Sequence, residues 1–303
     1  MASVYAIFKM KEQIQMRVKL EKWYLDFTSE NEVGFYYIMV LTSGRVRIGF
    51  SGINHFDPTQ SFQNFRFSRI KRRSLHCIHL SKANLHSTLN EAHLKIDHGK
   101  TALSGTWKFR VPPQKRWNKP LYEDSKGWVD WKVWTPLADV ELVFHDGEKT
   151  TKLKGTGYID FVRMTLPFWK VPFQNLYWGR MHSPISWSVF LSLQTRERNI
   201  SLYLDPETTV QDVSVSIERN PLGEALRMIW NIGSPDNQLN FESKIIRVLE
   251  NQEILSKGRC LKILPRGIRR MLSSSGRDEK YETTSRFRGQ SFRGVMEEVK
   301  YHE

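Results

Sequence analysis

The sequence is poor in the features that mark several common protein classes. Cysteine is scarce: Cys77 and Cys260 are the only two. They cannot build a disulfide framework, and their number suits a reducing compartment. No run of eighteen or more apolar residues is present, so no helix is expected to cross a membrane. Residues 1–16 lack the continuous apolar core of a signal peptide, and the expectation is a cytoplasmic protein, soluble or peripheral on a membrane. There is no phosphate loop, no Gly-x-Gly-x-x-Gly and no Gly-x-Ser-x-Gly. Phosphoryl transfer, hydride transfer on a Rossmann domain and serine hydrolysis therefore lack support. Acidic residues are outnumbered, 32 Asp and Glu against 46 Lys and Arg, for a formal charge of +14. That balance favours anionic partners: membrane surfaces, nucleic acid or acidic ligands.

What is present is aromatic and strand-like. The 303 residues include ten Trp and seventeen Phe, enough to fill sizeable cores in two domains or one large β-structure. Short apolar or alternating runs are broken by Gly, Asn, Asp and Ser. Residues 33–41 and 45–50 read as a hairpin around Thr42-Ser-Gly44, with Arg45 and Arg47 outward and Val46, Ile48 and Phe50 inward. Residues 140–144 and 150–161 form a second hairpin around His145-Asp-Gly147. Thr101 to Val111 alternates Trp107 and Phe109 with Lys108 and Arg110. Further strands are expected near 74–80, 92–96, 185–194, 200–204, 213–217, 225–230, 241–249 and 291–300. Helical spacing is weak; 245–255 scores as a helix, and 260–272 as a basic amphipathic one. The polar stretch 271–291 reads as a long loop. The expectation is an all-β protein of two barrels, residues 1–172 and 173–303, with a linker at Pro167 to Pro172.

The richest stretch is Gly155-Thr-Gly-Tyr-Ile-Asp160, followed by Trp178-Gly-Arg180. Tyr158 and Asp160 share a strand face. Gly155 and Gly157 permit close approach of another backbone or a ligand. A lone acid on an apolar strand is costly unless paired or used. Asp160 is thus either a general acid with a raised pKa or a structural acid paired with Arg163 or Arg180. Arg180 could instead bind an anionic ligand group. His76, His79, His93 and His98 lack the spacing of a metal site, and no metal is expected. Arg66, Arg69, Lys71, Arg72 and Arg73 are interleaved with Phe62, Phe65 and Phe67. This pattern fits first a charge-guarded strand edge, then an anionic membrane surface, and only third nucleic acid. The basic stretch 257–270 carries the same ambiguity.

Several segments resemble the carotenoid 1,2-hydratase (hydroxyneurosporene synthase) family, which includes lipocalin-like proteins and Diels–Alderase relatives. Leu20-Glu-Lys-Trp-Tyr-Leu-Asp26 is similar to that family's Glu-Trp-Trp-Tyr-Phe-Asp opening. Asp130-Trp-Lys-Val-Trp-Thr-Pro136 resembles its His-x-Trp-x-Pro segment. Gly155 to Asp160 resembles Gly-x-Gly-Tyr-His-Asp, Trp178-Gly-Arg180 resembles Trp-x-Trp-Gly-Arg, and Phe292-Arg-Gly-Val-Met-Glu297 resembles the closing strand. The matches run in order along nearly the whole chain. The resemblance implies two tandem lipocalin-like β-barrels, a hydrophobic small-molecule ligand within or between them, and no cofactor. It implies Asp160 and Tyr158 as catalytic residues, and Trp134, Trp178, Arg180, Trp23 and Lys132 as substrate-binding residues. Lys132 stands where the family has His, Ile159 replaces the His between Tyr and Asp, and Phe161-Val-Arg-Met164 replaces His-Asn-Trp-Gly.

The expected function is a cofactor-independent acid–base enzyme (hydratase, cyclase or isomerase) acting on an isoprenoid-type substrate. Asp160 would donate the proton, Tyr158 would hydrogen-bond it, and Trp134 and Trp178 would stabilise the cation. The alternative is a non-catalytic lipid or terpenoid carrier docking on anionic membranes.

Overall fold

The structure, a computed structural model, describes residues 18–300 apart from 45, 75, 114–119, 167–171, 212, 234–238, 254–276 and 288–289. The described residues form strands and turns, with no helix among them. The first sheet contains β1 (Val18–Thr28), β2 (Val33–Ser43), β3 (Val46–Phe56), β4 (Ser61–Ser68), β5 (Ile70–Arg73), β6 (Cys77–Leu80), β7 (Ala83–Ser87), β8 (Glu91–Asp97), β9 (Ala102–Phe109), β10 (Tyr122–Asp124), β11 (Gly127–His145) and β12 (Thr150–Met164). Its order is β4-β3-β2-β1-β12-β11-β9-β8-β7-β6-β5, with β10 on β11. The second contains β13 (Phe173–His182), β14 (Trp187–Thr195), β15 (Asn199–Leu204), β16 (Thr209–Val210), β17 (Val213–Arg219), β18 (Ala225–Ile232), β19 (Leu239–Glu253), β20 (Arg277–Phe287) and β21 (Gln290–Lys300). Its order is β16-β15-β14-β13-β21-β20-β19-β18-β17. Both curl into nearly closed barrels, so the all-β, two-barrel expectation holds.

The first barrel nearly closes where β4 and β5, its two terminal strands, follow each other through Arg69. The basic run from Arg66 to Arg73 therefore lies along both edges, where charge discourages pairing with another chain.

Strand alternation divides the apolar residues into three clusters. Trp23, Leu25 and Phe27 of β1 point into the first barrel, with Trp107, Trp134 and Phe161. Tyr177 and Met181 of β13 point into the second, where Phe190 and Trp230 pack at 3.6 Å between ring centroids. The alternate residues meet between the barrels: Tyr24, Phe35, Trp131 and Tyr158 from the first sheet, and Trp178, Trp187, Leu191 and Val295 from the second. These strands are buried on both faces. Each fully buried large apolar side chain contributes roughly 1.5–3 kcal/mol. That is the scale needed to hold buried carboxylates in the same seam.

Three expectations need correction. On β3 the inward face is inverted. Gly49, Ser51 and Ile53 lie opposite Val40, Ile38 and Tyr36 of the barrel interior, whereas Phe50 packs outside on Phe65 and Phe67 and Val46 is exposed. A Cβ on Gly49 would meet the Ser68 carbonyl at 2.7 Å, so barrel closure requires the glycine there. The 245–253 part of the expected helix is strand β19; the rest lies outside the described residues. Its register shifts at 245/247 and 248/250 disturb the two-residue alternation. The expected loop at 271–291 contains β20, a fully paired strand between β19 and β21. Its polar residues are buried because they are partnered: Glu282 with Arg247 and Arg293, and Lys280 with Glu297. The basic helix at 260–272 and most of the Pro167 to Pro172 linker lie outside the described residues.

Candidate active site

The seam between the barrels contains two buried aspartates on adjacent strands. Asp160 of β12 lies opposite Tyr24 of β1, and Asp26 of β1 lies opposite Tyr158 of β12. The four side chains share the face turned towards the second barrel. The approach that Gly155 and Gly157 permit is made by β1 and Trp107: a Cβ on either glycine would meet the Thr28 or Asp26 carbonyl, and Trp107 Nε1 donates to the Asp26 carbonyl at 2.8 Å.

Asp160 is 4% exposed. Its Oδ2 accepts hydrogen bonds from Trp131 Nε1 at 2.9 Å and from the Tyr158 hydroxyl at 3.0 Å. Neither Arg163 nor Arg180 pairs with it; Arg163 pairs with Asp130 at 3.4 Å. Burial disfavours the charged carboxylate and pushes its pKa up to about 7, against the lowering influence of Trp131, Lys22 and Tyr158. At neutral pH a large share of Asp160 therefore holds a proton.

Four buried polar atoms in this cluster have no hydrogen-bond partner: Asp26 Oδ1 and, beside it, Asp160 Oδ1, the Tyr24 hydroxyl and Trp178 Nε1. Their rings are neighbours, with centroids of Tyr24 and Trp178 5.3 Å apart, Tyr158 and Trp178 5.4 Å, and Tyr24 and Tyr158 6.3 Å. The Trp178 N–H is close enough to the Tyr158 phenol to favour its ionised form, yet lies outside hydrogen-bond geometry. Buried polar groups are normally satisfied. Here they stay unsatisfied within an aromatic enclosure.

Asp26 has different company. Arg180 Nε donates to Asp26 Oδ2 at 2.5 Å, and both side chains are fully buried. Arg180 Nη2 donates to Thr28 Oγ1 at 2.8 Å, and Nη1 to His182 Nδ1 at 2.7 Å. Because His182 Nδ1 accepts, its Nε2 carries the proton and donates to Thr156 Oγ1 at 2.7 Å. Burial and the neighbouring Arg180 hold His182 well below the usual histidine range. Burial also raises Asp26 to about 6 against the pull of Arg180. Arg180 thus ties the barrels together through Asp26.

Of the expected site residues, Tyr158, Asp160 and Trp178 come together. Arg180 is near but bound to Asp26. Trp134 lies on the opposite side of its sheet, inside the first barrel and against His76. Trp131, in phase with Val133 opposite Asp160, takes the place expected of Trp134. Trp23 also points into the first barrel, against Phe161. Lys132 is exposed and pairs with Asp130 at 3.6 Å. The sequence reading passed over Tyr24, Asp26, Trp131 and Lys22 as individual site residues. The signal available was alternation: Lys22, Tyr24 and Asp26 share one strand face, and Trp131 shares another with Val133. No group of three metal-binding side chains occurs among the described residues.

The fold has known counterparts. CghA, a Diels–Alderase-type enzyme, aligns in its crystal structure with Sch210972 at a TM-score of 0.64 and 12% identity, over 94% of this chain and 89% of CghA. A second crystal structure of CghA aligns at 0.63 and 12% identity, over 95% and 90%. At that identity the likeness establishes the shared two-barrel fold. No protein-family profile matches the sequence, and no curated protein is significantly similar to it.

Proposed function

We propose that the protein is an acid–base enzyme acting, without a cofactor, on a hydrophobic isoprenoid- or polyketide-type substrate in the seam between its barrels. The observation that carries this reading is Asp160, a carboxyl poised near neutrality whose Oδ1, like the neighbouring Tyr24 hydroxyl and Trp178 Nε1, has no partner in an aromatic enclosure. In the proposed step the Asp160 carboxyl gives its proton to an alkene or carbonyl of the substrate. Trp131 and Tyr158 hold the carboxylate that remains. The faces of Tyr24 and Trp178 stabilise the positive charge that develops. The cation then adds water, closes a ring or does neither, and in each case loses a proton back to the Asp160 carboxylate, which completes a hydration, cyclisation or isomerisation. The shared fold with CghA supports the placement of a ligand-handling site in a two-barrel protein; the chemistry rests on the residues of this chain.

The test starts with extraction of whatever hydrophobic compound co-purifies with the protein, identified by native mass spectrometry. Turnover of that compound should fall by about 10²–10⁴ in Asp160→Asn, the range for loss of a general acid, with binding nearly unchanged. Full activity in that variant would remove Asp160 from the chemistry.

A second reading, a carrier that docks on anionic membranes, is favoured by one feature. Tyr37, Phe50, Phe65 and Phe67 pack together on the outer face of the first barrel, and β4, which carries two of them, leads into the exposed Arg69, Lys71 and Arg72 of the barrel edge. Under that reading vesicle binding weakens with salt, and Asp160→Asn changes nothing.

A further inference from the structure

Among the described residues, Lys22 is a cation near Asp160 with no ion-pair partner. It lies on β1, two residues before Tyr24 and on the same face, opposite Val162 and Met39. Its ammonium stands 5.4 Å from the centre of the Tyr24 ring and 5.9 Å from that of Tyr37. It is half-buried, and among the described residues no carboxylate forms an ion pair with it. Its field reaches Asp160, where it favours the carboxylate. The other cations of the seam are paired: Arg180 with Asp26, Arg247 and Arg293 with Glu282, and Lys280 with Glu297.

The position of Lys22 is equally specific. Tyr24 belongs to the buried seam, whereas Tyr37 begins the half-buried aromatic strip that continues to Phe65 on the outside of the barrel. Lys22 therefore stands where the seam reaches the surface, over one ring of each region. A partly desolvated ammonium is stabilised by ring faces, and more strongly by an anion that brings its own hydrogen-bond acceptors.

We propose that Lys22 is the head-group anchor of this site, pairing with the oxyanion of an amphiphilic substrate whose apolar part lies against Tyr24, Tyr158 and Trp178. The inference rests on the seam being the ligand site and specifies its substrate class: an apolar chain ending in a carboxylate or an acidic enolate. It also couples binding to chemistry. An anion on Lys22 cancels the field that favours the Asp160 carboxylate, so occupancy keeps Asp160 protonated and ready to donate.

Dodecanoate and dodecanol serve as probes, since they share a chain and differ in head-group charge. Their affinities for the full chain would be measured by calorimetric titration below their aggregation concentrations. Wild type is expected to bind dodecanoate about tenfold more tightly, the size of one charge-assisted contact. Lys22→Met should bind the two equally, Lys22→Arg should restore the preference, and Asp160→Asn should retain it. Thermal melts matching wild type would establish that Lys22→Met is folded. Equal affinities in wild type, or a preference that survives in Lys22→Met, would overturn the role of Lys22 and leave the seam as a ligand site. Binding of neither probe would overturn both.

Discussion

Asp26 and Asp160 differ in company far more than in burial. They lie on the same face of neighbouring strands, within one seam, and both are almost wholly removed from water. Asp26 meets a guanidinium that is itself held by Thr28 and His182. Asp160 meets an indole and a phenol, and has a lysine acting on it through space; each aspartate keeps one oxygen unpartnered. Burial raises both pKa values, to about 6 and about 7, so a raised pKa by itself does not mark the reactive acid. The partner set does. Asp26 is committed to a guanidinium that joins the barrels, and Asp160 is in no ion pair among the described residues and has a proton to give.

The sharpest way to break this comparison is to remove the cation. Arg180→Met leaves Asp26 buried without its counter-ion and should cost about 3–5 kcal/mol of stability, read by chemical denaturation. The double variant Asp26→Asn/Arg180→Met should recover most of that loss, because no unpaired charge remains. A full loss that persists in the double variant would mean that Arg180 acts through packing and not through Asp26. Asp160→Asn, by contrast, removes a carboxylate with no cation to strand, and should be at least as stable as wild type at pH 8.

The pH dependence separates the two acids next. Both have folded pKa values above the unfolded value of about 3.9. The stability each contributes is therefore fully present below pH 4 and is lost as pH rises through its folded pKa. For Asp26 that loss is complete just above pH 6, and for Asp160 just above pH 7. In Asp160→Asn the decline should end about one pH unit earlier than in wild type. An unchanged profile would show that Asp160 stays ionised in the folded protein and cannot be the proton donor. Turnover, which needs the protonated acid, should fall as pH rises through about 7.

Much of this was legible in the sequence, and the failures share a cause. Alternation located most strands, the Asp-Gly hairpin at residues 145–150, and Tyr158 and Asp160 on a common face. It failed for β20, whose Arg277-Asp-Glu-Lys-Tyr-Glu pattern looks like a solvated loop until its ion-pair partners on β17, β19 and β21 are known. Partners far along the chain also decided the fate of Arg180. The sequence placed it near Asp160, yet its counter-ion lies 154 residues away. Motif likeness favours Trp134 over Trp131 because it takes no account of strand phase. Trp131 and Trp134 stand three residues apart on β11, so alternation alone sets them on opposite sides of the sheet.

The smallest expected effect sharpens the contrast at a single atom. Trp178 Nε1 is buried and unpartnered, so Trp178→Phe removes a donor that satisfies nothing in the free protein while keeping most of the ring. If the seam is only packing, losing an unsatisfied group should leave stability unchanged or slightly higher. If the seam receives a polar ligand group, the same substitution should weaken ligand binding by roughly tenfold, about one hydrogen bond's worth, with little change in unfolding. The two readouts move independently. A variant that is more stable but binds more weakly identifies Trp178 as a donor kept for the ligand at the expense of the fold. Equal binding with altered stability would return it, like Trp23 and Trp134, to the aromatic filling of the barrels.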